Sequence, residues 1–489
     1  MRSLVLKNLF LSAFAAILLL SGCKKWEDHI AVDGKSLQGS VMDVLRADPN
    51  LSQFTAYLTQ MGLDKVLSSS LDFTVFAPVN GSFVNLDPAT LSDTAKLAKY
   101  LRGHIALQSY FTRDMVSAQR IKLLNGKFAT IFNSTIDDAS IVGADRYAQN
   151  GVVQVIGKSL PYLQNIWETV INDASLPAKH KTYLMSLNRN YYDITNAVQI
   201  GVNPTTGLPV YQQGTDSVAS NMFLKTVYDL KDESKQYTLF MLADTTWDKE
   251  FNKFKVYYAT SSVDSTTTAC NWDLAKDLAI SGLQATNAPD TLVSKFSVKV
   301  PFTKSAIART IKTSNGVIYV MSKVDVLPLE KIKTVVLEAE NYRYQCGPTG
   351  NIIDKRGNTY FRDRINTLTG KPFMDVLVYN HGTAQLALNY RVNNAYSVKY
   401  QVYWVAYNDF IPAPATFTQM VGIGTPNSVI ATLPYVTITP ANLAEVKVGE
   451  FTLTNYRPTL DVFITAANNT VAATNPIVCD YIKLVPVVQ

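Results

Sequence analysis

The sequence predicts a multidomain chain in which two α+β domains are followed by an all-β sandwich. Three observations carry that expectation. At 489 residues the chain is too long for one ordinary hydrophobic core. A strand-and-turn pattern occurs twice, with matching spacing to a second pattern downstream. From Thr334 onward the chain breaks into short alternating segments separated by Gly, Pro and Asn. Composition agrees, since 47% hydrophobic and 17% charged residues describe a globular chain rather than a disordered one. The net charge of +6 is spread without a Lys/Arg run, which argues against nucleic acid as a partner.

At the N-terminus, Arg2 and Lys7 accompany the apolar run "LFLSAFAAILLL", and "LSGC" closes it at Cys23. A charged start, an apolar middle and a small-residue end make a secretory signal over residues 1–22, to be set aside from fold reasoning. The "LSGC" order resembles a bacterial lipobox. It implies lipid on Cys23, a tether over residues 23–36 and firm attachment to a membrane. A plain hydrophobic anchor is the other reading of the same run. The charged "KKWEDH" after Cys23 is similar to the tethers of lipoproteins displayed by some gram-negative cells. The expected place is therefore the outer membrane, lipid-anchored and facing outward. No other segment is apolar for long enough to span a bilayer.

The repeat comes next. "FTVFAPVNGSF" starts at Phe73 and "YTLFMLADTTW" at Tyr237; "NGVVQVIGKSLP" starts at Asn150 and "NGVIYVMSKVDVLP" at Asn315. The separations are 77 and 78 residues, which points to a duplicated domain rather than a solenoid repeat. In the first copy Phe73, Val75 and Ala77 alternate along a strand that ends at Pro78 and a turn-prone Asn-Gly. Ahead of it, "LSQFTAYLTQMGLDKVL" spaces Phe54, Leu58, Met61, Leu63 and Val66 for helix, with a break at Gly62. Together with "LRGHIALQSYF" around His104, these motifs resemble the fasciclin (FAS1) family over residues 37–160. A divergent second copy is expected over 161–330. It keeps both strand motifs, lacks a counterpart of His104 and holds an insertion that includes the loop-like "GVNPTTGLPVYQQGTDS". The resemblance implies adhesion and extracellular binding without a shared catalytic site. His104 reads as a buried structural imidazole.

Residues 331–489 carry "TVVLEAENY", "AQLALNYRV", "YSVKYQVYWVAY", "LDVFITAA" and "CDYIKLVPV", many short strands with turns between them. The opening "VLEAENY" and closing "VCDYIKLVP" are similar to the first and last strands of galactose-binding-like jelly rolls, such as family-6 and family-35 carbohydrate-binding modules. That resemblance implies a structural calcium ion near Glu338, Glu340 and Asp480. Two positions apart on one strand, Glu338 and Glu340 would face the same side, and hard oxygen ligands suit calcium. A solvated strand face is the plainer reading of these acids. Neighbouring terminal strands would also let Cys346 bridge Cys479, leaving Cys270 over in an oxidising compartment. Tyr403, Trp404 and Tyr407 are the candidate glycan-stacking rings, against core packing for Trp404.

Catalytic signatures are missing from the sequence. Four histidines stand in unrelated contexts, and no His-Glu-x-x-His, Gly-x-Ser-x-Gly or Cys-x-x-Cys is present. The expectation is a non-catalytic surface lipoprotein for adhesion to surface or matrix proteins. The alternative is a glycan-binding accessory of an outer-membrane polysaccharide uptake system.

Overall fold

A computed structural model of the chain describes residues 39–353, 358–409 and 415–488. Cys23, the expected signal and the expected tether lie outside them. Among the described residues no helix is long and apolar enough to cross a membrane. The chain divides into two units. One comprises residues up to Asn172 with 230–237 and 312–317; the other comprises 173–229, 238–311 and 318–489.

In the first unit, helices Val41–Arg46, Ser52–Gln60 and Leu63–Leu67 cover a seven-stranded sheet. Its order is Ile105–Ala106, Phe73–Pro78, Gly151–Ile156, Ala139–Ala148, Thr135–Ile136, Phe128–Phe132 and Gln119–Lys122. The strand read from "FTVFAP" is buried on both sides, so it separates two cores. Phe73, Val75 and Ala77 pack with the helices, while Phe76 packs with Ile121, Ile131 and Ile136 on the other side. Of the helical residues expected inside, Phe54, Leu58 and Leu63 are buried, but Val66 faces solvent. The break at Gly62 starts a new helix, and there the core positions are Leu63 and Leu67, four apart on one face.

Phe73–Pro78 pairs in parallel with Gly151–Ile156, Phe73 opposite Gly151. Gly151 has φ +139, and a Cβ there would lie 1.9 Å from the Phe73 carbonyl oxygen. No other residue fits. Beside it, the Asn150 side chain ties three segments. Its Oδ1 accepts from Val41 N–H at 2.7 Å, and its Nδ2 donates to the Leu67 and Ser69 carbonyls at 2.9 and 2.7 Å.

The same frame recurs downstream. Asn315 Oδ1 accepts from Ile166 N–H at 2.9 Å, and its Nδ2 donates to the Leu230 and Asp232 carbonyls at 3.0 and 3.3 Å. Gly316 has φ +150, and a Cβ there would lie 1.9 Å from the Tyr237 carbonyl oxygen. Four strands follow the order Ala279–Ser281, Tyr237–Leu242, Gly316–Met321 and Ile307–Thr313.

The sandwich belongs to the second unit. Val335–Glu338, Tyr481–Val487, Lys399–Val405 and Val446–Thr452 form one antiparallel sheet. A second, six-stranded sheet includes Tyr344–Cys346, Ala387–Ala395, Arg457–Ala466 and Phe417–Thr425. Thr359–Ile365, Pro372–Val378 and Ile477–Cys479 make a third. First and last strands are neighbours, with Glu338 opposite Tyr481.

The boundary expected at 330/331 falls at a buried junction. Helix Pro328–Lys331 ends in a lysine whose Nζ is held by the carboxylates of Asp273 and Asp277 and by the Asp273 carbonyl at 2.6 Å. Tyr396 Oη donates to the Lys331 carbonyl at 3.1 Å, and Tyr258 packs against Tyr396 and Tyr456 with ring centroids 5.4 and 5.1 Å away. Ser397 and Tyr456 N–H groups donate to Tyr257 and Ala259 carbonyls at 2.8 and 2.6 Å. The sandwich therefore continues the packing of the helices before it.

Candidate cation and ligand sites of the sandwich

Strand Val335–Glu338 ends at Glu338, and the chain turns through Ala339–Asn341. Glu340 thus reaches the site by a turn, and strand alternation, the basis of the sequence expectation, does not apply to it. The Ala339 N–H donates to the Asp480 carbonyl at 2.7 Å, which fixes the turn against the last strand. Glu338, Glu340 and Asp480 line one open groove of about 640 Å³, together with Lys371, Phe373 and Glu445.

The groove holds more negative charge than it compensates. Burial, then Glu338, Asp375 and Glu340, push the Asp480 carboxyl up to about 7. Burial and then Glu340 raise Glu338 as well. One carboxylate oxygen of Glu340 is buried without a hydrogen-bond partner. The side chains do not converge on one point: among the described residues, no three His, Cys, Asp or Glu form a group that could hold a metal ion. The donors are oxygens, the chemistry that suits a hard cation, and one of them is the buried, unpartnered oxygen of Glu340.

The expected bridge is not formed. Cys346 lies opposite Ala387 in the six-stranded sheet, whereas Cys479 lies opposite Val376 in the three-stranded one. Strand adjacency links residue 338 to 481 and does not extend to the cysteines. Both are free buried thiols, as is Cys270. Burial pushes the Cys346 and Cys270 thiols up to about 11 and about 12, and Cys479 also above its ordinary value, so none is primed as a thiolate.

Trp404 is 1% exposed and belongs to the core, with Tyr400 and Val402 on the same face of the strand. It is not available to a sugar. Tyr403, on the opposite face, donates to Gln401 Oε1 at 3.0 Å and lies under Lys483 Nζ, 5.1 Å from the ring centre. Tyr407 stands beyond the strand end, its ring 5.7 Å from the Arg364 guanidinium and its carbonyl accepting from Arg362 at 3.3 Å. Asp409 pairs with Arg362 and Arg364 at 3.0 and 2.7 Å, and Arg362 also donates to buried Asp375 at 2.7 Å. This ion network was not foreseen, because its members come from three separate segments.

A second feature escaped the sequence reading. Tyr342 and Phe361 are stacked, with centroids 6.3 Å apart and planes 15° from parallel, and Phe361 is 52% exposed. Phe361 stands on strand Thr359–Ile365 and Tyr342 follows the turn Ala339–Asn341, so their pairing depends on two segments meeting.

Residues 49–161 match the fasciclin domain model, and the chain therefore carries a fasciclin domain there. Transforming growth factor-beta-induced protein ig-h3 of Sus scrofa is 30% identical over 130 residues, covering 25% of this chain and 19% of that protein. The chain thus spans about a fifth of the length of this relative. An uncharacterized protein of Synechocystis sp. is 25% identical over 124 residues, covering 24% of this chain and 93% of that protein. Among solved structures, a FAS1 domain pair from the insect cell adhesion molecule Fasciclin I is 16% identical, covers 58% of this chain and 99% of that one, and has a TM-score of 0.23. A family 35 carbohydrate binding module from Clostridium thermocellum is 14% identical, covers 32% of this chain and 100% of that one, and has a TM-score of 0.21.

Proposed function

We propose that this chain is a non-catalytic, lipid-anchored outer-membrane protein displayed on the cell surface, where it binds surface or matrix proteins. The fasciclin domain at residues 49–161 carries the reading. Residues 161–330 are taken as a divergent second fasciclin copy, supported by the Asn-Gly frame that recurs at Asn315 and Gly316. The three described histidines are spent on packing. His104, His180 and His381 are buried and bonded to the backbone, which leaves them poor candidates for acid–base work. In the test, cells displaying the chain are compared with cells carrying Cys23→Ala. Loss of membrane partitioning together with loss of adhesion supports the reading; adhesion unchanged without the lipid contradicts it.

Polysaccharide capture is a second reading, favoured by the pairing of exposed Phe361 with half-buried Tyr342, since flat paired rings suit a sugar face. Phe361→Ala in the full chain should then abolish retardation in a polysaccharide gel. Retardation that survives the substitution removes this reading.

Glu338, Glu340 and Asp480, which do not converge in this structure, would have to turn toward one point to hold a calcium ion, and that ion would tie the first sandwich strand to the last. Such an ion adds stability that grows with free calcium, about 2.7 kcal/mol at one hundred times the dissociation constant. Because the folded Asp480 carboxyl sits near 7, above its ordinary value, its contribution is complete at acid pH and is lost as pH rises through about 7. Chelation should therefore lower the melting temperature more above pH 7 than at acid pH. Glu340→Gln should raise the melt in chelator and erase the calcium response. A melt indifferent to chelator at both pH values shows an empty groove.

A further inference from the structure

Three helices of the second unit, Ala178–Ser186, Asp244–Phe254 and Val263–Lys276, border an open groove of about 520 Å³. That volume lies in the range of small-molecule sites, about 300–1,000 Å³. Rings make its floor. Trp247 is 5% exposed and packs against His180 and Tyr183, with ring centroids 4.7 and 5.6 Å away, so it serves to hold Tyr183 in place. Tyr183 and Phe251 are only half-buried, and they are the rings a ligand can reach.

The walls are polar. Thr182 and Ser186 stand four apart on one helix, and Thr267 and Asn271 four apart on another, so each pair shares a helix face. Ser186 Oγ spends its proton on the Tyr183 carbonyl at 2.7 Å, which leaves its lone pairs to accept. Asn271 Oδ1 is buried and has no hydrogen-bond partner among the described residues. An unpaired buried acceptor is costly, and a ligand hydroxyl donating to it removes that cost. Charge is cancelled inside the groove. Lys179 Nζ donates to both carboxylate oxygens of Asp248, at 2.6 and 2.5 Å, and among the described residues no other charged side chain lines it.

These features bound the ligand. Reachable rings suit an apolar face, hydroxyl and amide walls suit a body rich in hydroxyls, and the internal ion pair leaves no net charge for an ion to meet. A wholly apolar ligand would cover Asn271 Oδ1 without supplying a donor. We propose that this groove binds a neutral mono- or disaccharide, with a C–H face on Tyr183 and Phe251 and hydroxyls on Thr182, Thr267 and Asn271. This goes beyond both readings above. The polysaccharide reading rests on Phe361 and is read by retardation of the chain in a polymer gel. The groove is read with short soluble sugars, so either can fail alone.

The test is saturation-transfer NMR on the full chain, kept free of sugar-headed detergent. The probes are glucose, xylose, N-acetylglucosamine and cellobiose, with glucuronate as the charged control. We expect transfer to at least one neutral sugar and none to glucuronate. Thr182 is exposed on its helix, so Thr182→Arg should fill the groove and abolish transfer while leaving the thermal melt unchanged. Asn271→Leu should weaken binding about tenfold, the loss of one hydrogen bond to a buried acceptor. Phe361→Ala should leave transfer as it was. No transfer to any of the neutral sugars overturns the proposal. Transfer undiminished in either groove variant, or removed by Phe361→Ala, overturns it and places the sugar elsewhere. Transfer to glucuronate in preference to glucose overturns the neutral class.

Discussion

The two α+β regions keep the same backbone frame and differ in the side chains that lock it. Phe73 and Tyr237 N–H groups donate to Asn150 and Asn315 carbonyls, each at 3.0 Å; Phe76 and Phe240 N–H groups donate to His104 and Leu278 carbonyls, each at 2.8 Å. Thr74 and Thr238 hydroxyls cap the next turn in the same way, donating to Gln108 and Gly282 carbonyls and accepting from Tyr110 and Gln284 N–H groups. At the position where the first region buries His104, the second has Leu278. Its buried imidazole is instead His180, on helix Ala178–Ser186, accepting from Leu242 N–H at 3.2 Å and lying 4.7 Å from the Trp247 ring. Main-chain bonds and the Asn-Gly junction define the frame, whereas the histidine is one of several ways to fill it.

The largest expected effect separates the regions. Lys331→Met leaves Asp277 buried without its cation and Asp273 with Lys276 alone, and should cost about 3–5 kcal/mol. Calorimetry of the full chain should show the transition of the second region and sandwich falling while that of residues 39–160 stays. A uniform fall of the whole profile would mean that the junction holds more than its own side.

Next come the paired glycines. Gly151→Ala and Gly316→Ala each push a methyl against a carbonyl oxygen and force a left-handed φ on an L-residue, which should destabilise by about 3 kcal/mol or more. Comparable losses in urea unfolding sharpen the comparison. A tolerant Gly316 would break it.

Sequence reading reached these junctions because they are local. Asn-Gly after a fixed interval is a short pattern, and its backbone requirement belongs to the residue itself. Core packing of Trp404 is local in the same sense, since alternation along Lys399–Val405 sets Tyr400, Val402 and Trp404 on one buried face. What was not legible depends on distant segments meeting. Asp409 meets Arg362 across a change of sheet, Glu340 leaves the strand at a turn, and Cys346 and Cys479 part into different sheets. The insertion expected as a loop is two paired ribbons, Asn188–Tyr192 with Ser217–Asn221 and Gln199–Val202 with Pro209–Tyr211. Gly, Pro, Thr and Asn mark its turns, and the short strands between them have little periodicity to detect.

A smaller effect tests the histidines. Burial pushes His104 down to about 4 and His180 down to about 3. The unfolded imidazole takes up its proton first, so each contribution is complete above about pH 6.5 and is lost as pH falls through the folded value. His104→Leu leaves the Leu160 N–H without its acceptor at 2.9 Å, costing about 1–3 kcal/mol at neutral pH. It should also flatten the pH dependence of stability between about 6.5 and 4. An unchanged pH profile in the variant would show that His104 is not the group being titrated.

The shared frame is tested most directly by the two asparagines. Asn150→Ala and Asn315→Ala each remove three hydrogen bonds of matching geometry, and denaturant unfolding of the full chain compares them side by side. The account predicts losses of about 2–3 kcal/mol for each, equal to within about 1 kcal/mol. A large loss at Asn150 with none at Asn315 would contradict it, leaving the second region with a frame of its own.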